Sequence, residues 1–298
     1  MLELQGQAFG NLRQTFGGDT LNTAVYLARC GGAGLRVHYA TALGDDSLSA
    51  GLLARWAAEG VQTGLVQRLP GRLPGLYLIE LDEGGERHFH YWRGQAAARS
   101  YFDAAVTALE EQADGLDALY LSGISLAILP QAGRERVLAL MARMRARGTV
   151  VAFDNNFRPR LWDSVADARY WYQRAFAAST LALITADDHQ ALHDLADLDA
   201  AVAAAQALPV AEIAIKRGAL PARVGLNHVW QDVATEAVPR VVDTTAAGDS
   251  FAAGYLARRL RGAMPAEAAA FGNRLAARVI QHPGALIPRD AMQDLMEG

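Results

Sequence analysis

Short runs of branched and apolar residues alternate along this chain with stretches of helical periodicity, and this alternation is what most restricts its fold. Residues 37–41, 118–122, 149–154, 181–185 and 212–216 read as buried strands. Helical patterns lie among them: 47–59, with Leu48, Leu52, Leu53 and Trp56 on one face and a stop at Gly60; 131–147, stopped by Gly148; and one running through Leu192. A strand-like run at 237–242 precedes two closing helices, 248–260 and 266–281. Strand followed by helix, repeated, predicts an α/β fold, a doubly wound and mostly parallel sheet with helices on both faces. Ligands of such sheets bind beyond the carboxyl ends of the strands. Polar groups sit at those ends here: Ser122-Gly123, Asp154-Asn155-Asn156 and Lys216-Arg217-Gly218.

One stretch breaks the rhythm. Residues 76–81 and 86–92 read as two strands joined by Asp82-Glu83-Gly84-Gly85, a hairpin signal. The expectation is a single domain over residues 1–298, with a small β-sheet lid formed by about 5–17 and 68–96. No internal repeat or low-complexity linker marks a second domain.

Composition excludes several function classes. Among 298 residues, 51% are hydrophobic and 20% charged, which suits a soluble globular chain. The net charge of −4 gives no footprint for nucleic acid. The arginines at 134, 136, 143, 145 and 147 read as the polar face of a helix whose apolar face is Leu138, Met141 and Met144. The single cysteine, Cys30, reads as a small buried hydrophobe. No signal peptide opens the sequence, and the apolar stretch 200–215 is too short and too interrupted to span a bilayer, so no membrane partner and a cytoplasmic location are expected.

The chemistry concentrates in Asp243-Thr244-Thr245-Ala246-Ala247-Gly248-Asp249-Ser250-Phe251-Ala252-Ala253-Gly254. Small residues at 246–248 admit close approach of a ligand to the backbone. The N–H groups that open the following helix form an anion site, and Asp249 in the same turn can accept a proton from an attacking hydroxyl. Phosphoryl transfer needs those parts. Taken alone, the spacing D-x-x-x-x-G-D describes a capped helix start equally well.

The whole string resembles the C-terminal signature of the PfkB/ribokinase family of carbohydrate kinases. Gly17-Gly18-Asp19-Thr20-Leu21-Asn22-Thr23-Ala24 matches its N-terminal signature, and Lys216-Arg217-Gly218 its strand-end K-x-G. The resemblance implies a ribokinase-like sheet with a β lid and ATP with Mg²⁺. It implies Asp249 as base and the amides of Ala246, Ala247 and Gly248 as anion hole. Nucleotide contacts are expected at Asn156, Lys216, Gly218, Thr244, Gly248 and Asn273.

Longer strings are similar to the 2-keto-3-deoxygluconate kinases within that family: 16–23, 72–77, 85–87, 91–93, 120–129 and 153–162. Such a substrate carries a carboxylate, which guanidinium groups suit. Arg93 and Arg158 are the expected anchors, Arg158 otherwise pairing with Asp163 or an ATP phosphate. Gly18, Asp19, Asn22, Tyr77, Tyr91 and Ile124 complete the expected sugar-acid site. The implied reaction is phosphorylation at the C6 hydroxyl. A fructose or ribose kinase, or a non-catalytic sugar-acid or nucleotide sensor on the same fold, are the alternative readings. A homo-oligomer formed through the lid is also implied.

Three features depart from the family pattern. Asp187-Asp188-His189-Gln190 stands where many relatives carry N-x-x-E, so Gln190 is not assigned to metal and Asp187 is expected as a helix N-cap. His88 and His90 flank Phe89 where Ser or Thr and Tyr are expected. Relatives place an apolar strand before the segment that matches Met1-Leu2-Glu3-Leu4, and Glu3 falls near a substrate-binding acid of some of them.

Overall fold

The computed structural model describes residues 1–7, 9–81 and 87–296. Six strands form the main sheet: β7 (Ala118–Ser122), β8 (Val150–Asp154), β9 (Leu181–Thr185), β10 (Glu212–Arg217), β11 (Leu220–Leu226) and β12 (Val229–Val233). Their spatial order is β12-β11-β10-β9-β8-β7, parallel from β7 to β10 and antiparallel across the β10–β11 and β11–β12 pairs. The helices between the parallel strands are α4 (Gly123–Ile128), α5 (Gln131–Ala146), α6 (Val165–Ala177), α7 (Ala186–His193) and α8 (Leu198–Gln206). Phe153, Ile184 and Ile215 on the strands and Met141, Tyr172 and Phe176 on the helices share one buried cluster. The opposite face is covered by α1 (Asp19–Gly31), α9 (Ala247–Arg259) and α10 (Pro265–Val279). The last two approach closely because Gly254 meets Gly272: a Cβ on Gly254 would stand 3.0 Å from the Gly272 Cα.

A second sheet is built from β1 (Leu2–Gly6), β2 (Leu12–Phe16), β5 (Leu76–Leu81) and β6 (Arg87–Trp92), in the order β2-β1-β5-β6. The expected hairpin is there, with Tyr77 opposite Tyr91 and Leu76 opposite Trp92. Its turn, Asp82 to Gly85, lies outside the described residues. The sheet also begins earlier than the expected lid, since β1 starts at Leu2 and pairs parallel with β5. A third, two-stranded sheet joins β3 (Thr41–Leu43) to β4 (Val66–Arg68). Three further helices complete the chain: α2 (Ser47–Ala58), α3 (Ala108–Gln112) and α11 (Gln293–Met296).

Several expectations shift. The strand expected at 37–41 begins only at Thr41, because its partner is Val66–Arg68; upstream, His38 makes a lone bridge to Gln62. Residues 237–242 form no strand. Pro239 interrupts the run, Val241 and Val242 are exposed, and the Val242 N–H instead donates to Ile280 O at 2.8 Å. Leu48 is exposed, while Leu52 and Trp56 of the same helix are buried. Asp46 caps that helix through the Ser49 N–H, and Gly60 and Gly148 take the left-handed φ values, 87° and 80°, that end α2 and α5. The arginines of α5 and its C-cap do more than face water: Arg134 pairs with Asp167, Arg136 with Glu110 and Arg147, just past the helix, with Asp114. Cys30 is half-buried, and burial pushes its thiol up to about 11, so it is a poor nucleophile. Among the described residues no helix is long and apolar enough to cross a membrane.

A cavity of about 2000 Å³ opens at the carboxyl ends of β7 to β10 and runs under the second sheet. It also reaches between β7 and β3, both of which line it. Among the described residues β7 pairs only with β8.

Candidate active site

The chain crosses from Val242 to α9 through a tight loop held at both ends. The Asp243 carboxylate accepts from the Thr245 N–H at 2.9 Å and from the Gly284 N–H at 2.6 Å. Ala246 takes a left-handed φ of 61° just before the helix. That turn brings the start of α9, whose first N–H groups have no intrahelical partner, to the cavity wall. The Ala247 N–H donates to Thr244 O at 3.1 Å, leaving Gly248 as the small residue facing the opening.

Asp249 follows at once. Its carboxyl is half-buried and accepts from Asn22 Nδ2 at 2.8 Å. Burial, and then the neighbouring Asp19 carboxylate, raise its pKa to about 7; the Asn22 bond and the Lys216 ammonium pull the other way. A carboxyl poised there suits general-base work near neutral pH. Asn22 Oδ1 is buried without a partner beside it.

Gly18 precedes α1 with φ 138°, a conformation that favours glycine. The neighbouring Gly17 has no room for a side chain, since a Cβ there would lie 2.4 Å from the Tyr77 hydroxyl. Asp19 opens α1 and accepts from Ser122 Oγ and from Asn156 Nδ2, the latter at 3.0 Å. The second sheet contributes Tyr77 and Tyr91, whose ring centroids lie 6.0 Å apart, and Arg93, whose guanidinium rests 4.2 Å from the Tyr91 centroid. The Tyr77 hydroxyl donates to the buried Glu3 carboxylate. Arg158 projects from the segment after β8 and pairs with Asp188 at 3.0 Å, not with Asp163. Ile124, Gly218, Thr244 and Asn273 line the same cavity. The Asn273 Nδ2 is engaged by Ala234 O at 2.9 Å and Val233 O at 3.2 Å, so it ties the end of β12 to α10.

All the residues singled out from the sequence for catalysis, sugar acid or nucleotide therefore border one cavity. Asp187 is not the N-cap of α7. Thr185 holds that position and Asp187 sits in the first turn. Gln190 Nε2 donates to Leu195 O, closing the end of that helix. The sequence marks Asp154, the last residue of β8, only as a strand-end polar group and assigns it no role; it pairs with Lys216 Nζ at 2.8 Å inside the cavity. A charge ending the apolar run Val-Val-Ala-Phe was the available signal.

Known proteins show what this geometry belongs to. The model of the pfkB family carbohydrate kinases matches residues 3–292. The chain belongs to that family. It is 46% identical over 297 residues to a 2-dehydro-3-deoxygluconokinase of Escherichia coli K12, covering 98% of this chain and 96% of that protein. A Haemophilus influenzae protein of the same name is 41% identical over 301 residues, with 99% and 95% covered. Among solved structures, a PfkB protein from Polaromonas sp. JS666 superimposes with a TM-score of 0.82 at 26% identity, covering 95% of this chain and 93% of that one. The ribokinase-like fold expected from the sequence is thus the fold of this kinase.

Proposed function

We propose that this carbohydrate kinase transfers the γ-phosphoryl group of MgATP to the C6 hydroxyl of 2-keto-3-deoxygluconate, giving 2-keto-3-deoxy-6-phosphogluconate. The observation that carries the reading is the placement of two cations in the cavity that holds Asp249. Burial, and then the nearby Arg158 guanidinium, lower the Arg93 pKa, and both side chains border the cavity. A ligand carboxylate between them relieves both effects. A neutral sugar offers no such partner. The curated relatives at 46% and 41% identity bear the corresponding name.

In this mechanism the sugar acid lies between the second sheet and the carboxyl ends of β7 and β8. Its carboxylate meets Arg93 and Arg158, and Tyr77 and Tyr91 wall its carbon chain. Asn22 and Asp19 orient its hydroxyls, with Gly18 and Ile124 shaping the floor. Asp249 accepts the C6 hydroxyl proton as that oxygen bonds to phosphorus and the bond to the ADP oxygen breaks. The amides of Ala246 and Gly248 stabilise the charge on the transferring group, whereas the Ala247 N–H, expected to join them, is given to Thr244 O. The nucleotide occupies the part of the cavity bordered by Asn156, Lys216, Gly218, Thr244 and Asn273.

The metal enters with the nucleotide as MgATP. Among the described residues no cluster of three or more metal-binding side chains is formed. Mg²⁺ retains waters and binds substrate phosphates readily, so carboxylates such as Asp154 and Asp187 at the cavity wall would act on its hydration shell. The exposed Leu12 and Trp92 of the second sheet support a homo-oligomer contact through the lid, read by light scattering of the purified chain.

A coupled ADP-release assay with 2-keto-3-deoxygluconate, fructose and ribose tests the substrate. Turnover confined to the sugar acid is expected. Preference for a neutral sugar would retain the kinase and reject this substrate.

A further inference from the structure

The mechanism above uses Lys216 for nucleotide contact and Asp154 through the water shell of the metal, but gives their buried ion pair no part. Asp154 ends β8 and Lys216 lies near the end of β10, with β9 between them. Both side chains are almost fully buried, 4% and 10% exposed, yet both border the cavity. The ammonium donates to Asp154 Oδ2 at 2.8 Å, and among the described residues that is the acceptor it has. Asp154 Oδ1 is buried without a partner. A Cβ built on Gly248 would stand 3.5 Å from Lys216 Nζ, which places the ammonium against the loop that receives the anion.

A pair serving stability alone would be expected to satisfy more of its hydrogen-bonding capacity, because an unsatisfied buried group is costly. Here an ammonium with three donors is held by one oxygen, and it sits where negative charge arrives. We infer that Asp154 is a positioning residue that holds Lys216 beside Gly248, so that the ammonium bridges Asp154 and the γ-phosphoryl oxygens during transfer. The inference rests on the kinase reading. No proton moves through the pair; Asp249 takes the hydroxyl proton, and Lys216 stays protonated throughout.

The same pair acts on the base. The charged groups around Asp249 are Asp19 from α1, Asp154 from β8 and Lys216 from β10; Tyr26, Tyr77 and Tyr120 are neutral in the working range. Asp154 raises the Asp249 pKa and Lys216 lowers it. Removing one or the other must therefore move the acid limb of the pH profile in opposite directions.

The test compares Asp154→Asn, Lys216→Gln and the double variant with the wild-type chain, each checked for folding by circular dichroism. Expected for Lys216→Gln are a kcat loss of about 100-fold and an acid limb shifted up. Expected for Asp154→Asn are a loss of about tenfold and a limb shifted down, with the sugar-acid KM within twofold. The double variant should be no slower than Lys216→Gln, because the two residues act as a unit. Multiplying losses in the double variant, or unshifted limbs in both single variants, would overturn the inference. If Asp154→Asn fails to fold, Lys216→Gln decides through its limb and through calorimetry with the magnesium complex of AMP-PNP. An affinity reduced about tenfold supports the bridge, and an unchanged affinity overturns it. That binding measurement needs no turnover, and wild-type silence on every sugar tests the kinase reading separately.

Discussion

Asn22 and Asp249 stand 227 residues apart in the chain, and the Asn22 amide nitrogen lies 2.8 Å from the Asp249 carboxylate. The bond joins the first turn of α1 to the first turn of α9, so the two glycine-rich signatures meet at the carboxylate proposed as the base.

That contact sets how acidic the base is. The amide favours the charged carboxylate, so Asn22→Ala should raise the Asp249 pKa above its value of about 7. We expect the acid limb of kcat/KM to move up by about one pH unit, the scale of one hydrogen bond to a charged group. Activity should recover substantially at pH 9. An equal loss at every pH would mean that Asn22 orients substrate without tuning the base.

Asp249→Asn should lower kcat by about a thousandfold or more while leaving nucleotide and sugar-acid binding nearly intact. The same change should stabilise the fold at alkaline pH. The folded pKa of about 7 lies above the ordinary carboxyl value of 3.8, so the folded state holds more protons between those pH values. The stability of the wild type therefore falls as pH rises through that window and levels off above it. Asn carries no charge to bury, so the variant should exceed the wild type by on the order of 3 kcal/mol at pH 8. Near pH 4 the two should unfold alike. Urea titrations at both pH values read this, and a difference that does not depend on pH would contradict it.

Arg93→Ala and Arg158→Ala should each raise the KM for the sugar acid by roughly 10- to 100-fold, the scale of one lost charge-assisted contact. The KM for ATP should change little. Lysine at either position should recover only part of the loss, because an ammonium lacks the planar fork of donors. If Arg158→Ala instead raised the KM for ATP alone, Arg158 would belong to the phosphate side of the cavity.

The expectations that held rest on local rules. The α9 loop is written in contiguous small residues, and the pairing of Tyr77 with Tyr91 follows from strand parity across one hairpin. What escaped reading depends on distant partners. Asp154 meets Lys216 across an intervening strand, and Arg158 meets Asp188 from the turn of a different βα unit, so neither pairing leaves a spacing in the sequence. Residues 237–242 have strand-forming valines, but Val242 is bound by the end of α10, a competitor that local pattern cannot reveal. Thr41–Leu43 likewise takes its register from Val66–Arg68.

Gly123 illustrates how closely the site floor is packed. It follows β7 at the start of α4, where Ser122 caps the helix through the Ser125 N–H. A Cβ on Gly123 would lie 1.8 Å from the Tyr172 hydroxyl and 2.3 Å from the backbone oxygen of Asn155. The hydroxyl cannot simply step aside, because it donates to that same oxygen at 2.6 Å and its ring is packed against Phe153 and Phe157. Gly123→Ala must therefore displace the segment that carries Asn155 and Asn156, and a loss of about 2–4 kcal/mol in stability is expected. The double change Gly123→Ala with Tyr172→Phe removes the hydroxyl but leaves the backbone clash, so it should recover only part of that loss. Full recovery in chemical denaturation would show that the hydroxyl alone, and not the backbone of Asn155, excludes a side chain here.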